Sequence, residues 1–168
     1  ALTDTPSPTF TLLPTLTPSP SATPILHPEA CVPGDTPSDY GLVKWVSDGD
    51  IIIVEIDGRL RSVRYIGIDA PADAPHVEYL GAQATARNRA LVLDQFVHLV
   101  RDVSDTDEFG QLLRYVFVED LFVNFELVRQ GLARSVERSP DLACTSIFDQ
   151  AQELAKQETR GIWMALTF

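Results

Sequence analysis

The run from Asp48 to Ala72 decides the fold: Asp48-Gly49-Asp50, then Ile51 to Ile56, Asp57-Gly58, Arg59 to Ile68, and Asp69-Ala70-Pro71-Ala72. Asp-Gly is a pair that tight hairpins favour, because positive φ costs aspartate little and glycine nothing. The segments between these turns are rich in isoleucine, valine and tyrosine, whose side chains suit a pleated surface. Three strands are expected: Gly41 to Val46 before the first turn, Ile51 to Ile56 between the two, and Arg59 to Ile68 after the second. Pro71 and Pro75 then enforce a loop, since proline lacks an amide donor and restricts the residue before it.

Working outward, Glu78 to Asp94 has helical spacing, with Leu80, Ala84, Leu91 and Val92 recurring at three and four. Phe96 to Val103 and Gln111 to Val118 read as strands joined through a turn at Asp105 to Gly110. Phe122 to Gln130 reads as a helix closed by Gly131, a residue suited to the left-handed position after a helix. A last helix is expected from Thr145 to Glu158, with Ile147, Phe148, Ala151, Leu154 and Ala155 on one stripe. Three strands, a helix, two strands and two helices suggest an α+β domain. Its expected core is a five-stranded Greek-key barrel of the OB-fold type, packed by about three helices. Trp45 and Trp163 are expected to anchor its packing.

Residues 1–30 hold seven prolines, seven threonines and three serines, and Lys44 is the first basic residue of the chain. Without apolar periodicity such a segment has little to offset its ordering entropy, so residues 1–35 read as a Pro/Ser/Thr-rich stalk or linker. Residues 36–168 form the folded domain. No run of eighteen apolar residues occurs, so no membrane-spanning helix is expected. The start at Ala1, without a charged-then-apolar leader, fits a mature secreted chain or a trimmed one. Cys31 and Cys144 flank the globular region. Beside a stalk they read as a disulfide, the alternative being two unrelated buried thiols. Both features point to an extracellular or cell-surface setting. Formal net charge is −11. With four acids before Lys44, the rest carries 20 acids against 13 bases, or −7. That sign opposes generic nucleic-acid binding, whose affinity comes mostly from lysine and arginine meeting phosphates.

One set of motifs is specific. Asp48-Gly49-Asp50, Arg64 through Asp69-Ala70-Pro71, Thr106 through Gly110, Val123 through Ala133, and Gly161-Ile162-Trp163 stand in this order. Together they resemble the staphylococcal nuclease (thermonuclease-like) family over residues 40–163. The resemblance implies Ca²⁺-dependent phosphodiester hydrolysis of DNA or RNA. It implies that Asp50, Asp69 and the backbone carbonyl of Ala70 hold the cation, and that Arg64 is the first of two catalytic arginines. Oxygen donors suit a hard cation. Arginines stabilise charge on the phosphoryl group, and a glutamate activates water.

The departures fall on the chemistry. The family's glutamate is replaced by Ala72, and its second arginine by Gln111. Glu108 and Phe109 stand where the family has basic and tyrosine phosphate contacts, and its later tyrosines fall near Glu137 and Ser139. Arg114 is three residues along the strand from Gln111, so alternation points it to the opposite face. Asp73 and Glu78 are the nearby carboxylates that would have to stand in for the base. His76 and His98 lack ligand spacing, and Asp102, Asp105, Asp107 and Glu108 read as a solvated turn. The expected function is therefore a domain of this family with activity lost or severely impaired. It would hold Ca²⁺ weakly or not at all, and serve as a module for an unknown protein or surface partner more than for nucleic acid. The alternative is an active secreted nuclease using Asp50, Asp69, Arg64 and a displaced carboxylate.

Overall fold

A computed structural model describes residues 27–166, apart from the side chains of the last two; most of the expected stalk lies outside these residues. Five strands close a barrel: β1 (Ser38–Asp48), β2 (Ile51–Ile56), β3 (Arg59–Tyr65), β5 (Phe96–Val100) and β6 (Leu112–Val118). Their order is β3-β2-β1-β5-β6, and a parallel pairing of β3 with β6, including Val63 with Leu112, shuts the cylinder. Two-residue strands β4 (Ile68–Asp69) and β8 (Arg134–Ser135) pair antiparallel outside it, and β7 (Leu121–Phe122) extends β6. Helices α1 (Gly81–Val92), α2 (Val123–Arg129) and α3 (Thr145–Gln157) complete the OB-fold domain.

The second Asp-Gly turn acts as expected, whereas neither Asp48 nor Gly49 of the first takes positive φ. Asp57 and Gly58 both take positive φ, as two-residue hairpins of this twist require. The barrel interior is filled by Val43, Val46, Ile52, Val54, Val63, Val97 and Leu99, all essentially without solvent contact. Phe148, Ala151 and Ala155 of α3 bury the expected stripe. Buried Asn124 pins the end of β3: its amide donates to the Ile66 carbonyl at 2.9 Å and its oxygen accepts from Val116 N at 2.9 Å.

Three details depart from the sequence-based expectations. Trp45 is 63% exposed and anchors nothing in the core. A register shift between Val43 and Trp45 moves the strand off strict alternation and turns the indole outward. The third strand stops at Tyr65 and resumes as β4, after a break at Gly67, where φ is +75°. Asp102 is buried, accepting from the Tyr115 hydroxyl at 2.8 Å and from Ala143 N at 3.0 Å, so it belongs to the core and not to a solvated turn.

Cys31 and Cys144 form a disulfide. It ties a short 3₁₀ turn at Pro28–Cys31 to the residue preceding α3, and Cys31 and Val32 pack against the core.

Candidate functional site

The β1–β2 turn, the end of β3, β4 and the loop before α1 meet at one rim of the barrel. Gly49 makes the approach possible: a Cβ there would lie 2.5 Å from the Ala70 Cβ and 2.9 Å from that of Ala84. Asp48 organises this turn. Its Oδ1 accepts from Gly49 N at 2.8 Å, Thr85 Oγ1 at 3.3 Å and Asp73 N at 3.4 Å. Asn88 of α1 secures the turn from behind, donating to the Asp48 carbonyl at 3.1 Å and accepting the Tyr65 hydroxyl at 2.8 Å.

Asp50, Arg64 and Asp69 converge as the sequence implies. Arg64 Nη2 lies 3.2 Å from Asp69 Oδ1 and 3.7 Å from Asp50 Oδ2. Asp50 is only 3% exposed, and its Oδ2 also accepts from Ala70 N at 3.3 Å. Burial pushes the Asp50 carboxyl up from 3.8 to about 6, with Asp69 and Asp48 adding repulsion, against the pull of Arg64 and the Ala70 amide. The positive charge around it falls short of compensating its desolvation.

This donor set fits a hard cation. Two carboxylates and the Ala70 carbonyl are oxygen ligands of the type Ca²⁺ takes, and an under-compensated buried carboxylate favours a nearby positive charge. The set is sparse: no group of three or more His, Cys, Asp or Glu side chains placed to hold a metal occurs among the described residues. Water would have to supply the remaining ligands. A Ca²⁺ held by Asp50, Asp69 and Ala70 would polarise a phosphoryl oxygen and offset its charge.

The attacking half is different. Ala72 presents a methyl group where the resemblance implies a glutamate. Its backbone is clasped by Glu78: Ala72 N donates to Glu78 Oε2 at 2.8 Å, and Glu78 N donates to the Ala72 carbonyl at 2.9 Å. Gly81 lets the loop close this tightly, since a Cβ there would sit 2.0 Å from the Ala72 oxygen. Gln111 directs its amide to Ser62 Oγ at 2.8 Å. Arg114 is 4% exposed and engaged with Asp39 at 3.2 Å and Asp105 at 2.7 Å, so it does not reach this rim. Phe109 is 79% exposed at the tip of its turn, whose shape comes from Asp107 Oδ1 accepting from the amides of Phe109 and Gln111, both at 2.9 Å.

One member of the site was not foreseen. The β4–β8 ribbon sets Arg134 opposite Asp69, and Val136 N donates to the Gly67 carbonyl at 3.0 Å. Just beyond, Arg138 Nη2 comes within 4.0 Å of Asp69 Oδ1. The only sequence signal for it is its place between Glu137 and Ser139, the positions that match the family's later tyrosines.

Comparison with known proteins agrees with the geometry. The family model described as Staphylococcal nuclease homologue matches residues 62–165. The thermonuclease of Staphylococcus intermedius is 34% identical over 132 residues, covering 77% of this chain and 79% of its own length. The thermonuclease of Staphylococcus hyicus is 33% identical over 121 residues, covering 70% and 72% respectively. The SPbeta prophage-derived endonuclease YokF of Bacillus subtilis is 36% identical over 121 residues, 69% of this chain but 41% of its own. With the barrel, the paired aspartates and the arginine between them in place, the chain belongs to the staphylococcal nuclease family.

Proposed function

We propose that this nuclease-fold domain keeps the cation- and phosphate-binding half of its cleft while phosphodiester hydrolysis is lost or severely impaired. The observation that carries the proposal is Ala72: a methyl group at the base position, on a backbone already engaged by Glu78. Loss of a general base removes about 10²- to 10⁴-fold of rate, and loss of one charge-stabilising donor about 10²- to 10³-fold. Gln111, an amide turned to Ser62, supplies no guanidinium in compensation. The remaining role is binding: Ca²⁺ held weakly, and a phosphate-bearing, protein or surface ligand. The net charge of −11 disfavours long nucleic acid. The Cys31–Cys144 disulfide supports an extracellular or cell-surface location, since such bonds persist in oxidising compartments. The residues that precede the Pro28–Cys31 turn would then act as the stalk that holds the domain away from its attachment, a shorter one than residues 1–35, because Cys31 and Val32 pack against the core.

Glu78 favours a second reading, an active nuclease in which it is the displaced carboxylate. Its Oε2 is spent on Ala72 N, but Oε1 takes no hydrogen bond among the described residues. Digestion of single-stranded DNA and RNA with added Ca²⁺ separates the two. The first reading expects no turnover at high protein concentration. Turnover abolished by Asp50→Ala and also by Glu78→Gln would replace it with the second.

A further inference from the structure

The cleft has lost a guanidinium at Gln111, yet a second one stands beside it. Arg64 and Arg138 reach Asp69 Oδ1 from different elements, at 3.2 and 4.0 Å. The two cationic heads therefore straddle a single carboxylate oxygen. Arg64 comes from β3 and is held there, 20% exposed in its side chain. Arg138 comes from the segment after β8, is 56% exposed in its side chain, and has Asp69 as its one ion-pair partner among the described residues. An exposed pair at that separation is worth little, so the Arg138 head is free to exchange a carboxylate oxygen for a ligand oxygen. Arg134, opposite Asp69 in the ribbon and without an ion-pair partner among the described residues, adds positive charge on the same side. The nearest opposing acid on this segment is Glu137, which is exposed.

We infer that Arg138 is the second phosphate-binding guanidinium of this cleft, acting with Arg64 on a phosphomonoester or phosphodiester group. The assignment rests on the cleft reading proposed above, in which Asp50, Asp69 and Arg64 form a surviving binding half. Guanidinium suits the role because its fixed fork of donors matches phosphate oxygens in pairs, and charge-assisted contacts of this kind are the strong ones. Arg138 is delivered by β8, a different element from the strand that carries Gln111. A ligand would thus be gripped across the rim, from β3 on one side and the β8 segment on the other. Position 111 would be left unused.

The test is calorimetric titration of the full chain with a deoxynucleoside 3′,5′-bisphosphate, with and without Ca²⁺. Alongside it runs the salt dependence of binding to a short single-stranded oligonucleotide. Inorganic phosphate, titrated alone, distinguishes recognition of the phosphate from recognition of the nucleoside. Arg138→Ala is expected to weaken the bisphosphate about tenfold or more. It should also make the slope of log K against log salt shallower by about 0.7, the value for one lost phosphate contact on a single strand. Arg138→Lys should keep that slope while losing part of the affinity. Binding by the parent chain that falls with Arg64→Ala but is unchanged in affinity and slope with Arg138→Ala overturns the assignment alone. Absence of binding by the parent chain overturns it together with the cleft reading. Because Arg138 is exposed, its variants should melt with the parent.

Discussion

Asp50 is the residue whose environment makes the sharpest quantitative demand. Its carboxyl is buried and held at about 6 against 3.8 in the unfolded chain. Below the unfolded value both states hold the proton and no penalty arises. Between 3.8 and about 6 the unfolded chain ionises while the folded one does not, so stability falls as pH rises. Above about 6 both are ionised and the full penalty remains. At 1.36 kcal/mol per unit this amounts to about 3 kcal/mol. Asp50→Asn keeps an oxygen to accept from Ala70 N and removes the charge. In urea melts repeated from pH 4 to pH 8 without divalent cations, the variant should match the parent near pH 4. It should exceed it by about 2 to 3 kcal/mol at pH 8. Arg64 still has Asp69 in that variant, so no unpaired cation is created. Asp105 and Glu126, whose carboxyls are held low by Arg114 and Arg129 respectively, contribute slopes of the opposite sign. They are common to both chains and cancel in the difference. Added Ca²⁺ should stabilise the parent and not the variant. A variant less stable than the parent at pH 8, or a difference that does not vary with pH, would show that Asp50 is adequately compensated and that no charge deficit awaits a cation.

Other consequences can be checked by similar means. Replacing Cys31 and Cys144 together by serine opens a closure of 113 residues and should cost about 3 to 5 kcal/mol, read from the shift in the urea midpoint at constant slope. Asn124→Ala strands Val116 N and the Ile66 carbonyl in the core, and should cost about 2 to 4 kcal/mol in the same assay. A cost below 1 kcal/mol would mean the β3 end does not depend on this clamp.

The barrel and its three helices were legible because their signals are local. The Asp-Gly turns, the β-branched runs and the 3.6-residue stripe of α3 each act over a few residues. The meeting of Asp50, Arg64 and Asp69 was legible for the same reason, since they sit near the ends of strands that the turns define. What escaped depends on contacts without periodicity. The β4–β8 ribbon has two residues per strand, too few for alternation to register, yet it sets the segment carrying Arg138 beside Asp69. Trp45 turned outward because of a register shift beside it, which pattern counting cannot anticipate. Asp102 is buried because Tyr115 and Ala143 satisfy it from 13 and 41 residues away. The hold of Glu78 on Ala72 is a loop closure, visible only once Gly81 is seen against the Ala72 carbonyl.

The most direct measurement places a glutamate at position 72 and an arginine at position 111. Single-stranded DNA digestion with Ca²⁺ is followed for the parent chain, for the Ala72→Glu, Gln111→Arg double variant, and for that variant carrying Asp50→Ala. The parent should show no cleavage above background, the double variant a gain of about 10²-fold or more, and the Asp50→Ala triple variant a return to background. Robust cleavage by the parent, unimproved in the double variant and abolished by Asp50→Ala, would contradict it and establish a working nuclease.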